Sequence, residues 1–506
     1  IYGQGTVSAS GKQVVPDPGV VVYEFTGIMI GSGGNPAADG PQPGNGPGAT
    51  DGDPVDLGTG LFVLSKTDLV LPDTIPIVLR RTYRPGDNAS RAFGIGATHP
   101  YEMFLWSANN YQETDLILPD GGRIHYVRVS PGTGWTDAVY EHTTTPSVYY
   151  KSRVSWNGTG WDLRLKDGTT YVFPEFAPLQ SIRDRYGNQI TITRSGGSSG
   201  SITQITSSNG RWVQFTNDAS NRITQAKDNT GRTVDYTYDA GGRLWKVTNP
   251  AGGVTEYTYD TSNRMLTIKD ARGIVYLTNE YNSAGRVTKQ TQADNSTYLF
   301  AYTLDTNGKI TQTDVTDPRG NVRRVTFNSD GYTLSETLAL GNPEQQTYSY
   351  ERQAGTNLLL SVTDPLTRRT SFIYDAMGNL TSVTRLSGTP QAATTTMTRE
   401  PDFNQVSSVT DPLNHTSSFA YVARGNLITI TDPLNYQTTL TYNAAGQPLS
   451  VTDALQNTVQ LAYDSGALVS MTDPLGRTVT RRLDALGRPT VLFNPWVNER
   501  AMNTTC

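Results

Sequence analysis

Four histidines, one cysteine, a recurring Asp-Pro pair and a recurring tyrosine are the residues in this sequence whose types could do chemistry. The histidines are His99, His125, His142 and His415. A zinc site needs imidazole, thiolate or carboxylate ligands at close, regular spacing, and none of the four has that company. They read as incidental core or surface residues. Cys506 is the one cysteine and the last residue given, so no internal disulfide can form. Neither a Gly-x-x-x-x-Gly-Lys-Ser/Thr phosphate loop nor a Gly-x-Ser-x-Gly nucleophile elbow occurs. The Asp-Pro pairs begin at Asp317, Asp364, Asp411, Asp432 and Asp473. Regularly spaced carboxylates of this kind could bind calcium or act as acids, but no Asp-x-Asp-x-Asp-Gly ligand loop accompanies them. A tight turn accounts for them with less: Asp bonds its own backbone, Pro presets φ at the next position, and Gly suits the fourth. The repeated tyrosines could stack on sugars as an aromatic ladder. A Tyr in every repeat is also what a packed wall residue with a bonded hydroxyl looks like, and that is the reading we adopt. No catalytic, metal or cofactor constellation emerges, and the chain reads as a structural protein, not an enzyme.

The spacing of these residues comes from a repeat. Tyr238-Asp239, Tyr259-Asp260, Tyr374-Asp375, Tyr442-Asn443 and Tyr463-Asp464 head equivalent segments, and the steps 238 to 259, 421 to 442 and 442 to 463 are each 21 residues. Each unit carries two turn signals. One is Asp-Pro-x-x or Asp-Pro-x-Gly; the other is Tyr-Asp-x-x-Gly, with Gly242, Gly378 and Gly446 supplying the positive φ that closes a hairpin. Removing two turns leaves two strands of ordinary length per unit. Before the Tyr-Asp, apolar residues alternate with polar ones: Val234, Tyr236 and Tyr238 share one face, as do Phe372 and Tyr374, and Leu440 and Tyr442. After the Gly the alternation slips. Leu380 and Val383 are three apart, which predicts a bulge.

Organisation follows from this. Residues 1–52 hold a β-like run, Val20 to Phe25, then a Gly/Pro-rich linker from Gly31 to Gly52. Residues 53–175 form a non-repetitive β domain with Trp106, Trp135, Trp156 and Trp161; residues 176–495 are the repeats; residues 496–506 are a tail. The predicted fold class is all-β: hairpins laid side by side in one continuous, spiralling antiparallel sheet. Coiling into a hollow shell, or cocoon, would hide its edges and its apolar face. A hydrophobic fraction of 36% suits a wall wetted on both sides better than a single compact core. Disorder is excluded by 27 Tyr, 13 Phe and 7 Trp. Net charge is −5, with no basic stripe, so nucleic acid is not an expected partner. No run is long and apolar enough to be a membrane-spanning helix.

Tyr-Asp-x-x-Gly-Arg-Leu followed by Val-Thr-Asp-Pro resembles the YD repeat of bacterial Rhs proteins, toxin-complex components and teneurins; Tyr238 to Asn249 and Tyr442 to Asp453 match it closely. The region in front resembles the conserved uncharacterised domain that precedes Rhs repeats, through Asp53-Pro54-Val55, Thr59-Gly60, Asp68-Leu69, Leu71-Pro72 and Arg80-Arg81-Thr82-Tyr83. The resemblance covers residues 53 to about 495. It implies a secreted or surface-exposed bacterial β-cocoon that houses a C-terminal toxin of the same polypeptide, delivered by a secretion machine. Three departures stand out: no puncturing tip domain in front, no Pro-rich boundary motif with its self-cleaving Asp, and no toxin behind. The expectation is a front portion of a longer protein. The other function to weigh is a cell-surface scaffold that adheres to glycans through exposed Tyr and Trp.

Overall fold

Alternation of apolar and polar residues, reset by a bulge in each repeat, decides the architecture. The computed structural model describes residues 5–7, 14–16, 50–483 and 489–493. Nearly all of this is short strands joined by tight turns, and the one helical element among the described residues is a 3-10 turn, Pro100–Glu102. The run Val20 to Phe25, most of the Gly/Pro-rich linker and the tail 496–506 lie outside the described residues.

A single sheet of 36 strands runs from Phe104–Trp106 to Pro489–Phe493, each strand antiparallel to its neighbours in sequence. No break marks residue 175, because Thr170–Pro174 pairs with Ser181–Arg183 across it. Consecutive pairing sorts the turns. The Tyr-Asp turns, such as that between Thr233–Tyr238 and Leu244–Thr248, fall on one edge of the sheet. The Asp-Pro turns, such as that between Ile310–Thr316 and Val322–Phe327, fall on the other.

Accumulated strand twist winds the sheet into a spiral, and the two edges meet. Lys166 Nζ donates to Met377 O (3.0 Å) and Asn379 Oδ1 (3.1 Å), Arg185 Nη2 to Gly425 O (3.1 Å), and Asn188 Nδ2 to Ala445 O (2.9 Å). The partners are 211 to 257 residues apart, which is one circuit of the wall. Each contact joins a turn on the Asp-Pro edge of the first coil to a Tyr-Asp-type turn of the second. Turns on the rim of the first coil that would otherwise face water are thus covered by turns of the second.

The inner face of the first coil is not empty. The hairpin Leu64–Leu71/Ile77–Tyr83 lies across it from edge to edge. At the Tyr-Asp edge the Tyr83 hydroxyl donates to Asn263 O (2.7 Å) and accepts from Met265 N (2.9 Å). Mid-strand, Tyr236 donates to Asp68 (2.8 Å), and at the far edge Ser207 donates to Asp73 (2.5 Å). Leu69, Leu71, Ile77, Leu79 and Phe93 of the front region share one buried cluster with Val213, Tyr236, Tyr257 and Ile268 of the wall. Burial of this apolar area is the main stabilising term of the fold. The inner side expected to be wetted is therefore filled in the first coil. In the second it is less covered by the described residues: Phe372, Leu380 and Val383 are the last buried cluster among them, and Phe419, Ile430, Leu440, Val451 and Leu461 on the same face are only half-buried.

Candidate functional site

The repeat motif builds an interlock between successive hairpins. Asp239 starts the turn: its Oδ1 accepts the Gly241 and Arg243 amides (both 2.9 Å) and its Oδ2 the Arg243 Nε (2.7 Å). Gly242 completes it at φ +82°. Asp260 and Asp375 cap in the same way, and Asn443 does so through its amide oxygen. Gly378 and Gly446 hold φ +70° and +79°. The turn at Asp464 differs: Ser465 and Gly466 both take positive φ and close a two-residue hairpin, Asp464 pairing with Ala467.

A bulge follows each turn. Ile373 pairs with Ser382 and Tyr374 with Leu380, leaving Thr381 as the extra residue. This turns both Leu380 and Val383 inward, the three-residue step legible in the sequence. The next unit's tyrosine then reaches back to the carbonyl at the bulge. Tyr259 donates to Leu244 O (2.8 Å), Tyr374 to Leu359 O (2.8 Å), Tyr421 to Val406 O (2.7 Å) and Tyr238 to Ile223 O (2.5 Å), each over 15 residues. Burial pushes the Tyr238 and Tyr259 hydroxyls well up, which keeps them protonated donors. Tyr442 and Tyr463 occupy the same place and are half-buried. The arginine that ends the motif adds a second link. Arg243 lies 5.3 Å from the centre of the Tyr259 ring and donates to Asp260 O (2.9 Å); Arg264 does the same for Tyr281 and Asn282. Replacing Tyr259 by Phe keeps the ring and removes the clamp. The expected loss is about 1 kcal/mol, rising towards ~2 where the Leu244 carbonyl is left without a partner. Denaturant unfolding with amide exchange at residues 244–248 measures it, and an unchanged midpoint would count against the clamp.

The Asp-Pro carboxylates cap turns too. Asp411 Oδ1 accepts the Leu413 and His415 amides, and the same pattern holds for Asp317, Asp364, Asp432 and Asp473. The His415 amide holds the Asp411 carboxyl below its ordinary value. No group of three His, Cys, Asp or Glu side chains that could hold a metal is gathered among the described residues. His99 and His415 stand apart from the other histidines, and His125 and His142 are neighbours. His99 is buried between Phe93 and Phe215, held down to about 4 by that burial, and its Nδ1 accepts the Tyr101 amide. His142 bridges His125 O and the Thr145 amide.

Sequence reasoning missed the groups that fix the front region to the wall. Asp68 is the extra residue of a bulge, since Thr67 pairs with Arg80 and Leu69 with Leu79. The bulge aims it inward, onto Arg81 Nε at 2.5 Å. Gln290 is fully buried, donates to Asp53 O and Asn279 Oδ1 (both 2.8 Å), and accepts the Asp53 amide (2.8 Å). Asp53 and Gln290 lie 237 residues apart, and no local pattern announces such a pairing.

Comparison with known proteins adds the following. The Teneurin YD-shell family matches residues 170–339, the RHS Repeat family residues 355–390, 423–458 and 463–492, and a domain of unknown function, DUF6531, residues 52–126. Among curated proteins, Probable deoxyribonuclease RhsB of Dickeya dadantii (strain 3937) is 27% identical over 151 residues, 28% of this chain and 10% of that one. Among solved structures, those of TcdB2-TccC3-Cdc42 and TcdB2-TccC3 cover 87% of this chain at 13% identity, with TM-scores of 0.46 and 0.43. The chain spans 27% and 24% of the length of those two.

Proposed function

We propose that the chain is a bacterial protein of the Rhs/YD-repeat kind, and that it is a length of encapsulating wall, secreted or surface-exposed, around a C-terminal toxin of the same polypeptide. One observation carries this reading: the turns along one rim of the first coil dock on the turns of the second. Tyr186 and Asn209 sit at the third position of their turns in the first coil, against Gly446 and Gly466 of the second. The equivalent positions one coil on are Leu413, Leu434, Leu455 and Leu475, and these are 74% to 81% exposed. A row of leucines on one edge, at the positions that dock a coil below, is a seat for the Tyr-Asp edge of a further coil. The half-buried stripe from Phe419 to Leu461 then faces the enclosed space, where a cargo polypeptide would cover it.

In this reading the segment does no chemistry of its own, and a secretion machine is the partner that delivers it. The deoxyribonuclease activity in the name of the Dickeya protein is that protein's. Electron microscopy of the whole polypeptide from its source, with a nuclease assay of the 506-residue segment alone, tests both parts. The expected result is a closed particle with density inside and no DNA cleavage by the segment. An open ribbon would sink the encapsulation reading, and cleavage by the segment would sink the non-catalytic one.

A further inference from the structure

Where the two coils meet, a lysine of the first lies against a side-chain amide of the second. Lys166 opens the turn between Gly160–Arg164 and Thr170–Pro174. Its Nζ donates to Asn379 Oδ1 at 3.1 Å and to Met377 O at 3.0 Å. The amide is held from its other side, since Asn379 Nδ2 donates to Asp375 Oδ2 (3.0 Å) and Asn404 Oδ1 (2.9 Å). An amine, a carboxamide and a carboxylate are therefore in line, the amine on the carbonyl oxygen and the carboxylate on the nitrogen.

This meeting is a departure from the repeat. In earlier units the residue that ends the turn is an arginine, Arg243 or Arg264, whose Nε closes on the Asp that starts the same turn. Asn379 stands in that place and keeps the bond to its own Asp375. It also offers what the arginine does not, an acyl carbon. The lysines Lys151, Lys269 and Lys289 donate to carboxylates, which makes each an ion pair. Lys166 meets a neutral amide with an Asp behind it.

The surroundings suit reaction as well as contact. Tyr150 is buried against Gly378 of the second coil, and its ring centre lies 5.8 Å from Lys166 Nζ. Burial pulls the Lys166 ammonium below its ordinary value; the charge of Asp375 opposes this and that of Arg399 assists it. Desolvation of this kind frees the lone pair that makes a lysine a nucleophile. Asp375 is fixed independently, because its Oδ1 accepts the Met377 and Asn379 amides (2.9 and 2.8 Å).

We propose that Lys166 and Asn379 join covalently in an isopeptide bond that staples the first coil to the second. The unprotonated Nζ attacks Cγ of Asn379, and the Nζ–Cγ bond forms as the Cγ–Nδ2 bond breaks. One Nζ proton passes through the Asp375 carboxylate to Nδ2, which leaves as ammonia. The proton that Lys166 first gave to solvent ends on that ammonia, so the step is neither oxidation nor reduction and needs no further reactant. The fold supplies proximity: the two groups are 213 residues apart and in contact. Well-oriented intramolecular attack can reach effective molarities of about 10⁵ M or more. The staple is independent of whether the wall closes round a cargo.

The test is the intact mass of the folded full chain after incubation at neutral pH, with peptide mapping by tandem mass spectrometry. The expected mass is about 17 Da (one ammonia) below that of the sequence, with a linked pair of peptides carrying Lys166 and Asn379. Lys166→Arg keeps the charge, lacks the primary amine and is expected at full mass. Asp375→Asn is expected to keep its turn, as Asn443 caps in the same way. It should slow the linkage by about a hundredfold, the contribution of a positioned proton carrier. The proposal is overturned if the parent stays at full mass, or if the ammonia is lost without a linked pair, as a succinimide would lose it. Persistence of the loss in Lys166→Arg, or linkage of Asp375→Asn at the parent rate, overturns it too. A linked pair lighter by one water, about 18 Da, would put the bond on a carboxylate and overturn the assignment to Asn379.

Discussion

Substituting Asp68 by Ala is expected to lower the stability of the front region by about 3–5 kcal/mol, the usual cost of stranding one partner of a buried ion pair. Both side chains are enclosed, at 6% exposure for Asp68 and 7% for Arg81. The guanidinium makes two bonds to the carboxylate, at 2.5 Å and 3.0 Å, and Tyr236 of the wall donates a third. Rings of Phe93, Tyr236 and Tyr257 surround Arg81 at 5.7 to 6.0 Å. Without Asp68 the charge has aromatic faces and no anion. The pair as such is worth much less, since two buried charges spend most of their attraction on desolvation. Asp68→Leu combined with Arg81→Met is therefore expected to recover most of the loss. The denaturant midpoint of each variant, with exchange at residues 64–83 and 233–259 to locate the damage, decides between these outcomes. A single substitution costing under about 1 kcal/mol would mean that the pair is solvated and the hairpin docks by apolar contact alone.

That pair also shows where the sequence stops being legible. Asp68-Leu69 and Arg80-Arg81-Thr82-Tyr83 stand out as residues, yet their partners Tyr236 and Met265 lie 168 and 182 positions away. Within a unit, by contrast, almost everything is local and readable. Turn capping by Asp, the positive φ at Gly242 and Gly378, and the bulge between Leu380 and Val383 need only neighbours within a hairpin, and period-two patterning reports them directly. The hydroxyl clamp reaches 15 residues and was inferable as a bonded Tyr, though not as a bond to a bulge carbonyl. The coil-to-coil contacts were out of reach because a circuit of 211 to 257 residues depends on accumulated twist, which no single repeat encodes. For the same reason Asp-Pro-Leu reads as a turn with an arbitrary third residue until the turns are sorted onto edges. Trp106, Trp135 and Trp161 were visible as residues of the front domain, but only the folded first strands of the sheet bring them round one cavity.

Edge docking itself is open to a matched pair of substitutions. Gly446 and Gly476 both complete Asx-capped turns, at φ +79° and +77°, so alanine at either pays the same backbone penalty of about 1–2 kcal/mol. Their surroundings differ. A Cβ at Gly476 would meet nothing within 4 Å, whereas one at Gly446 would lie 2.5 to 2.6 Å from the Tyr186 ring of the coil below. Gly446→Ala must therefore push Tyr186 aside and stretch the bond from Asn188 Nδ2 to Ala445 O. It is expected to cost about 1–3 kcal/mol more than Gly476→Ala, the range for forcing an extra methyl into a close contact. It should also speed amide exchange on both sides of the seam, at residues 184–188 and 443–447. Trimming the obstructing ring with Tyr186→Ala should remove the excess and leave the two alanine variants alike. Equal costs in the parent background would mean that the coils touch without bearing on each other, and the wall would then owe its shape to strand pairing alone.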